Sequence, residues 1–520
     1  MYCSQCGEKL KDDASFCIKC GAKQKTEVEV TRNTENKRVE KKKNTKAKIV
    51  IAILIVVLAS LCYLLVVLVT GNTKYDPISK EAIMYDYAEA VFLSARGEVY
   101  QPNHDIANSE TDANADYSKR IYRENDTNDL FYIDCDFSPI RIAGNVEKFV
   151  ISYTGNYVAY MCDIDEENTG TLYLYCLKTG ESTQIDTEVY PDYLCLSPEG
   201  KKIVYLKREG TREESSMWLG GIGGDCIEID DDGCYPLAIS DNGKRLYYIN
   251  KTKLYFYNGK SSEKIASDVS STIWFNEDIT EVLYNSDGKS YVYSKKLKNP
   301  QKISSASVRT VAQLGLIERY YGSGGACVLG VDTLKECVFI SEDPALYWLD
   351  GESLEMIKIA STNYNYQVSK DGKSIIYALG NKIYKIEQLS KNMDKTILYE
   401  GDVDGIIANS DLSKIYFYTD EDLYYLKKNG DIESLSNDLY LNSAVLGAVW
   451  AFNHEKDKLF FVENDTLMIV NTTAKSKTKV MDDVKTLYRQ FSGVIFEQYV
   501  DEEFTKYYMG DGEPVILDRD

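Results

Sequence analysis

A ten-residue pattern recurs between residues 151 and 461: an apolar residue, a Ser or Asn, a turn carrying Asp, Glu or Gly, then a strand ending in an aromatic ring. The copies are ISYTGNYVAY (151–160), LSPEGKKIVY (196–205), ISDNGKRLYY (239–248), FNEDITEVLY (275–284), VSKDGKSIIY (368–377), NSDLSKIYFY (409–418) and FNHEKDKLFF (452–461). Successive ends lie 45, 43, 36, 93, 41 and 43 residues apart; the 93 is two periods, and the degenerate VDTLKECVFI (331–340) fills it. A second motif follows each first one, as in LYLYCLKTG (172–180), LYFYNGK (254–260) and LYYLKKNGD (423–431). Both are rich in Tyr, Ile, Val and Leu and bounded by Gly, Asn or Asp, the chemistry of strands and turns.

Repeats of about 40 to 45 residues, each holding several strands, stack because no single repeat can bury its apolar face alone. The expected fold class is therefore mainly β, with a β-propeller of seven or eight blades over residues 126–520; weaker echoes at LFYIDCD (130–136) and FTKYYMGDG (504–512) add units or closing strands. The 42 tyrosines agree, since tyrosine favours strands. The copies SPEGKKIVY and SDNGKRLYY resemble the blade motif of the propeller in the bacterial Tol system and its WD40-like relatives, which implies a fold and no activity. Residues 71–125 differ: Ile83, Tyr87 and Val91 fall at helical spacing and predict a short helix, followed by a loop at 103–120.

Ile49 to Thr70 is 22 residues without a charge. As a helix it would reach about 33 Å, enough for a hydrocarbon core of about 30 Å, so one transmembrane helix is expected at 49–70. The long leading region and the absence of a small-residue cleavage pattern argue against a signal peptide. Residues 1–48 hold 13 basic and 7 acidic residues, whereas residues 71–520 hold 47 and 74. Lys41, Lys42, Lys43, Lys46 and Lys48 flank the apolar run, and the positive-inside rule then places the N-terminus in the cytoplasm and the large C-terminal part outside the cell membrane. The acidic bulk argues against nucleic acid as its partner. Residues 23–48 form a basic linker without an aromatic residue, too polar to fold.

The chain opens with two knuckles, Cys3-Ser4-Gln5-Cys6-Gly7 and Cys17-Ile18-Lys19-Cys20-Gly21. Two residues between thiolates let both turn to one ion, glycine permits the bend, and the ten residues from Cys6 to Cys17 allow a hairpin return. Phe16 is expected beside the site. This stretch resembles the short N-terminal zinc ribbon of many bacterial membrane proteins at all four cysteines, both glycines and Phe16. Residues 1–22 are thus expected to hold Zn2+ through Cys3, Cys6, Cys17 and Cys20, with no coordination position left for catalysis.

Other chemistry is sparse. Cys162–Cys176, Cys226–Cys234 and Cys327–Cys337 are close enough in sequence for hairpin disulfides, the alternative being small buried apolar residues. The acidic turns DIDEENTG (163–170) and EIDDDG (228–233) lack a full calcium loop, and GGIGGD (220–225) lacks the ending of a phosphate loop. The two histidines, His104 and His454, have no nucleophile beside them in sequence. The expectation is a single-pass binding or scaffold protein, not an enzyme. Its ribbon docks a cytoplasmic protein, and its outer part meets a protein, peptide or cell-wall glycan. A hydrolase or lyase in the propeller channel and a membrane-tethered nucleic-acid-binding ribbon are the alternatives.

Overall fold

The computed structural model describes residues 2–20 apart from 4, 7, 12–15 and 18, and residues 81–517 apart from short stretches, the longest at 209–214, 312–318, 321–325, 328–336 and 440–449. The chain divides into two units, Met1–Gly71 and Asn72–Asp520.

In the larger unit, antiparallel sheets follow one another along the chain. Three strands within 83–100 come first. Four-stranded units then span 106–143, 146–189, 195–230, 234–266, 269–304, 308–360, 366–400, 405–436, 450–481 and 484–516. Units 146–189 and 195–230 join into one eight-stranded sheet where Val189 pairs with Lys207.

The recurring Ser or Asn is explained by its turn. Ser197 is buried; its hydroxyl accepts the Lys202 amide at 3.2 Å, and its own amide donates to the Lys202 carbonyl at 2.8 Å. Ser240 takes the Arg245 amide at 3.0 Å and Ser369 that of Ser374 at 2.9 Å, while Asn276 takes those of Thr280 and Glu281 at 2.7 and 2.8 Å. A turn amide hidden from water and out of reach of a strand partner is thereby satisfied. Asn114 does the same for Lys119 at 2.9 Å, which makes ANADYSKRIY (113–122) a further copy that the sequence pattern did not reveal. The turns also stack. Gly200 has φ +86°, and a Cβ there would lie 2.6 Å from that of Tyr157 and 2.8 Å from that of Ser152 in the preceding unit, so both conformation and space require glycine.

Each sheet buries both faces, because every apolar cluster is shared by neighbours. Leu237 and Phe256 pack with Phe275 and Val282; Trp274 and Leu283 pack with Phe339 and Leu349. Met84 and Leu93 of the first unit share a cluster with Ile495 and Tyr508 of the last, and the Tyr508 hydroxyl donates to the Ser94 carbonyl at 2.9 Å. Tyrosines recur as cross-strand pairs: Tyr160–Tyr173, Tyr248–Tyr255, Tyr284–Tyr291 and Tyr377–Tyr384 stack with ring centroids 5.1–5.6 Å apart. Offset stacking adds to burial.

The expected fold class is corrected in three respects. Seven or eight propeller blades do not describe these sheets, which among the described residues comprise ten four-stranded units, a three-stranded one and a two-stranded one at Arg319–Tyr320 and Ala326–Cys327, and begin at Ile83 rather than near 126. The helix expected near Ile83 is a hairpin, with Ile83–Asp86 pairing with Val91–Ser94. Both faces of this pair are buried, so apolar residues sit on both and the period-2 alternation is lost, leaving helical spacings by chance. Third, no helix occurs among the described residues, and none is long and apolar enough to cross a membrane; the transmembrane helix expected at 49–70 lies outside the described residues.

Replacing Ser197 by Ala takes the acceptor from the partly buried Lys202 amide and is expected to lower the unfolding free energy of this unit by about 1 kcal/mol, read from the urea midpoint. Ile279 occupies the position of the turn glycine with φ +53° yet is fully buried. Ile279→Gly relieves a backbone cost of about 1–2 kcal/mol but forfeits a burial of larger size. Net destabilisation is the expected result of the same measurement.

Candidate metal centre

The smaller unit is built around its cysteines. The Cys3 amide donates to the Glu8 carbonyl at 2.8 Å, and Tyr2 bridges antiparallel to Lys9, so the chain folds back directly after the first knuckle. Cys3, Leu10 and Cys17 form the buried apolar cluster of the described residues here. Lys19 of the second knuckle pairs with Glu8 of the first at 2.6 Å, exposed and therefore worth little. Three buried side chains cannot offset the entropy of ordering even this short segment.

The thiols supply what the core lacks. The sulfurs of Cys3, Cys6, Cys17 and Cys20 all lie within 4.8 Å of one another, with Cys3–Cys20 and Cys6–Cys17 each 3.6 Å apart, and none is in a disulfide. A tetrahedral ion with zinc–sulfur bonds of about 2.3 Å requires edges of about 3.8 Å, so the four fit zinc. The thiols also act on one another. The Gln5 amide holds Cys3 below the usual thiol range. At Cys6 the Glu8 amide acts in the same direction, but the neighbouring Cys20 sulfur and the other two sulfurs push it above that range. A divalent ion removes this conflict among like charges. Bound there, zinc would cross-link the two knuckles, and all four ligand positions are taken by sulfur.

Sequence spacing located all four cysteines. It misplaced Phe16, whose ring is 56% exposed rather than packed beside the site; Cys3, Leu10 and Cys17 fill the small interior. Tyr2, 67% exposed, went unnoticed, although it precedes Cys3 as Phe16 precedes Cys17. Gly7 and Gly21 lie outside the described residues.

The remaining candidates divide. Cys162 sits opposite Thr171 and Cys176 opposite Tyr157, at opposite ends of one strand pair, and neither is in a disulfide. Cys226 and Cys234 are likewise unbridged, and Cys195, Cys234 and Cys337 are buried among apolar residues; the side chain of Cys327 lies outside the described residues. In DIDEENTG, Asp165 accepts from the Thr169 amide and hydroxyl and the Glu167 amide, and Arg208 closes on Asp165 and Glu167, so the loop satisfies its own acids. These bonds hold Asp165 below the usual carboxylate range, the Thr169 amide foremost. GGIGGD holds the last two residues of strand Ser216–Gly221 and the turn that leads toward Ile227–Asp230. His104 and His454 lie outside the described residues.

Among solved structures, the chain is similar to a eukaryotic initiation factor (10% identity over 76% of this chain and 94% of the other, TM-score 0.40) and to the tricorn protease (11%, 77% and 61%, 0.21). It is also similar to PorZ, an essential bacterial surface component of the type-IX secretion system of Porphyromonas gingivalis (9%, 84% and 64%, 0.30). Scores this low speak for no shared activity. No curated protein matches the chain. Residues 2–24 match the family model of the zinc-ribbon domain. The chain thus carries an N-terminal zinc ribbon whose four clustered cysteines bind Zn2+.

Chelating the metal, or replacing Cys17 by Ala, is expected to unfold residues 2–20 and leave the melting transition of 72–520 unmoved, since the sheets of the larger unit have apolar clusters of their own. Zinc analysis with NMR of the amides checks it. Acid acts in the same direction: protons compete for thiolates, so zinc is held at neutral pH and lost as pH falls.

Proposed function

We propose that this chain is a membrane-held binding protein rather than an enzyme, in which the zinc ribbon docks a protein partner. The carrying observation is the exposure of Tyr2 and Phe16. Each ring stands immediately before the first cysteine of a pair, so the metal that fixes the knuckles also fixes the rings. Aromatic side chains held rigid and left uncovered are what a partner's pocket takes up most profitably. The four-sulfur ligand set supports binding over catalysis, because it leaves the ion no site for water or substrate.

The uncharged stretch 49–70 with its lysine flank supports placement at the cell membrane with the ribbon on the cytoplasmic side. The acidic unit 72–520 then faces outward and receives a protein, peptide or cell-wall glycan on its loops. The acidic excess of that unit supports partners other than nucleic acid.

The test is a comparison of full-length protein with a Tyr2→Ala, Phe16→Ala double variant, cross-linked in cells at the ribbon. The variant is expected to keep its zinc and lose the partner, each ring contributing about 2 kcal/mol. Identical cross-linked species from both proteins would remove the ribbon from partner binding.

A further inference from the structure

The four zinc ligands are unequal: Cys3 and Cys17 are buried, whereas Cys6 and Cys20 are exposed. Each exposed sulfur has a buried one 3.6 Å away, Cys17 beside Cys6 and Cys3 beside Cys20. One cysteine of each pair is thus exposed to solution, and the other is buried with its sulfur within reach of the first. Redox-responsive thiols have this arrangement, an accessible attacking sulfur with a resolving sulfur at hand.

We propose that Cys6 and Cys20 are sites of oxidation by hydroperoxides, and that their oxidation ejects the zinc and unfolds the ribbon. The inference stands on the metal site and does not depend on the docking reading. In the first step the exposed thiolate attacks one peroxide oxygen. The O–O bond breaks, the second oxygen leaves as water after taking up protons, and the sulfur becomes a sulfenic acid. In the second step the buried neighbour attacks that sulfur, an S–S bond forms, and the sulfenic oxygen leaves as water. Two sulfurs have lost two electrons, hydrogen peroxide has become two waters, and zinc departs as Zn2+ without changing oxidation state. Loss of two ligands of four leaves the ion weakly held, and the three-residue cluster of Cys3, Leu10 and Cys17 cannot keep the segment folded without it.

The experiment treats zinc-loaded full-length protein with hydrogen peroxide while a metallochromic dye follows the metal. The expected result is release of one zinc ion per chain, reversed by dithiothreitol with added zinc. Peptide mapping should find Cys6–Cys17 or Cys3–Cys20 disulfides while the buried Cys195, Cys234 and Cys337 stay reduced. Cys6→His keeps a nitrogen ligand but removes one exposed cysteine; if it holds zinc, release should fall to about half the rate, because the Cys20–Cys3 pair remains. Retention of zinc under peroxide, release without either disulfide, or release from zinc-loaded Cys6→His at the wild-type rate would each overturn the proposal. If Cys6→His fails to hold zinc, the wild-type disulfide map decides alone.

Discussion

The larger unit depends on one interaction repeated from turn to turn: a side-chain oxygen placed to accept an amide that the sheets leave without a partner. Stacking sheets face to face buries the turns between their first two strands, and a buried amide without an acceptor costs more than most single apolar contacts contribute. Ser197, Ser240 and Ser369 accept such an amide through a hydroxyl, and Asn114 and Asn276 through a carboxamide. Either chemistry serves, so the position tolerates Ser or Asn while the surrounding residues drift. Gly200 gives way at the equivalent place to Ile279, which accepts a left-handed backbone and buries its side chain in the cluster of Phe275 and Val282. The degeneracy of the repeat has a physical origin, since a single hydrogen bond and a turn geometry are kept and the rest is free.

The two ends of the chain solve the folding problem in opposite ways. The sheets bury large side chains such as Trp274, Tyr205 and Tyr247. The ribbon buries almost nothing and relies on a metal. This difference gives the two units separate vulnerabilities. Chelators, acid and oxidants act on sulfur, while large-to-small substitutions act on the sheets.

Much of this was legible before any coordinates. Two Cys-x-x-Cys pairs are a demanding pattern, and the four sulfurs converge where the spacing put them. The strand-rich repeat was visible because Ser or Asn, turn and aromatic end come in a set order. Legibility failed where burial is two-sided. Ile83, Met84, Tyr85, Val91, Phe92 and Leu93 are apolar without alternation, because neighbours cover both faces, and such a run is read as easily for a helix as for strands. The copy at Asn114 escaped because its turn carries Tyr117 where Gly155, Gly200, Gly243 and Gly372 stand in four of the other copies.

By itself the sequence determined the ligand set, the strand content and the change of charge between the two ends, because these follow from residue type and local spacing. The tertiary structure alone decided how many sheets form, which unit packs on which, and which cysteine of each pair faces outward. The reason is the same in each case: burial is settled by residues far away in the chain. The two Cys-x-x-Cys pairs are nearly identical in spacing, and only the packing of Leu10 with Cys3 and Cys17 distinguishes shielded sulfurs from open ones.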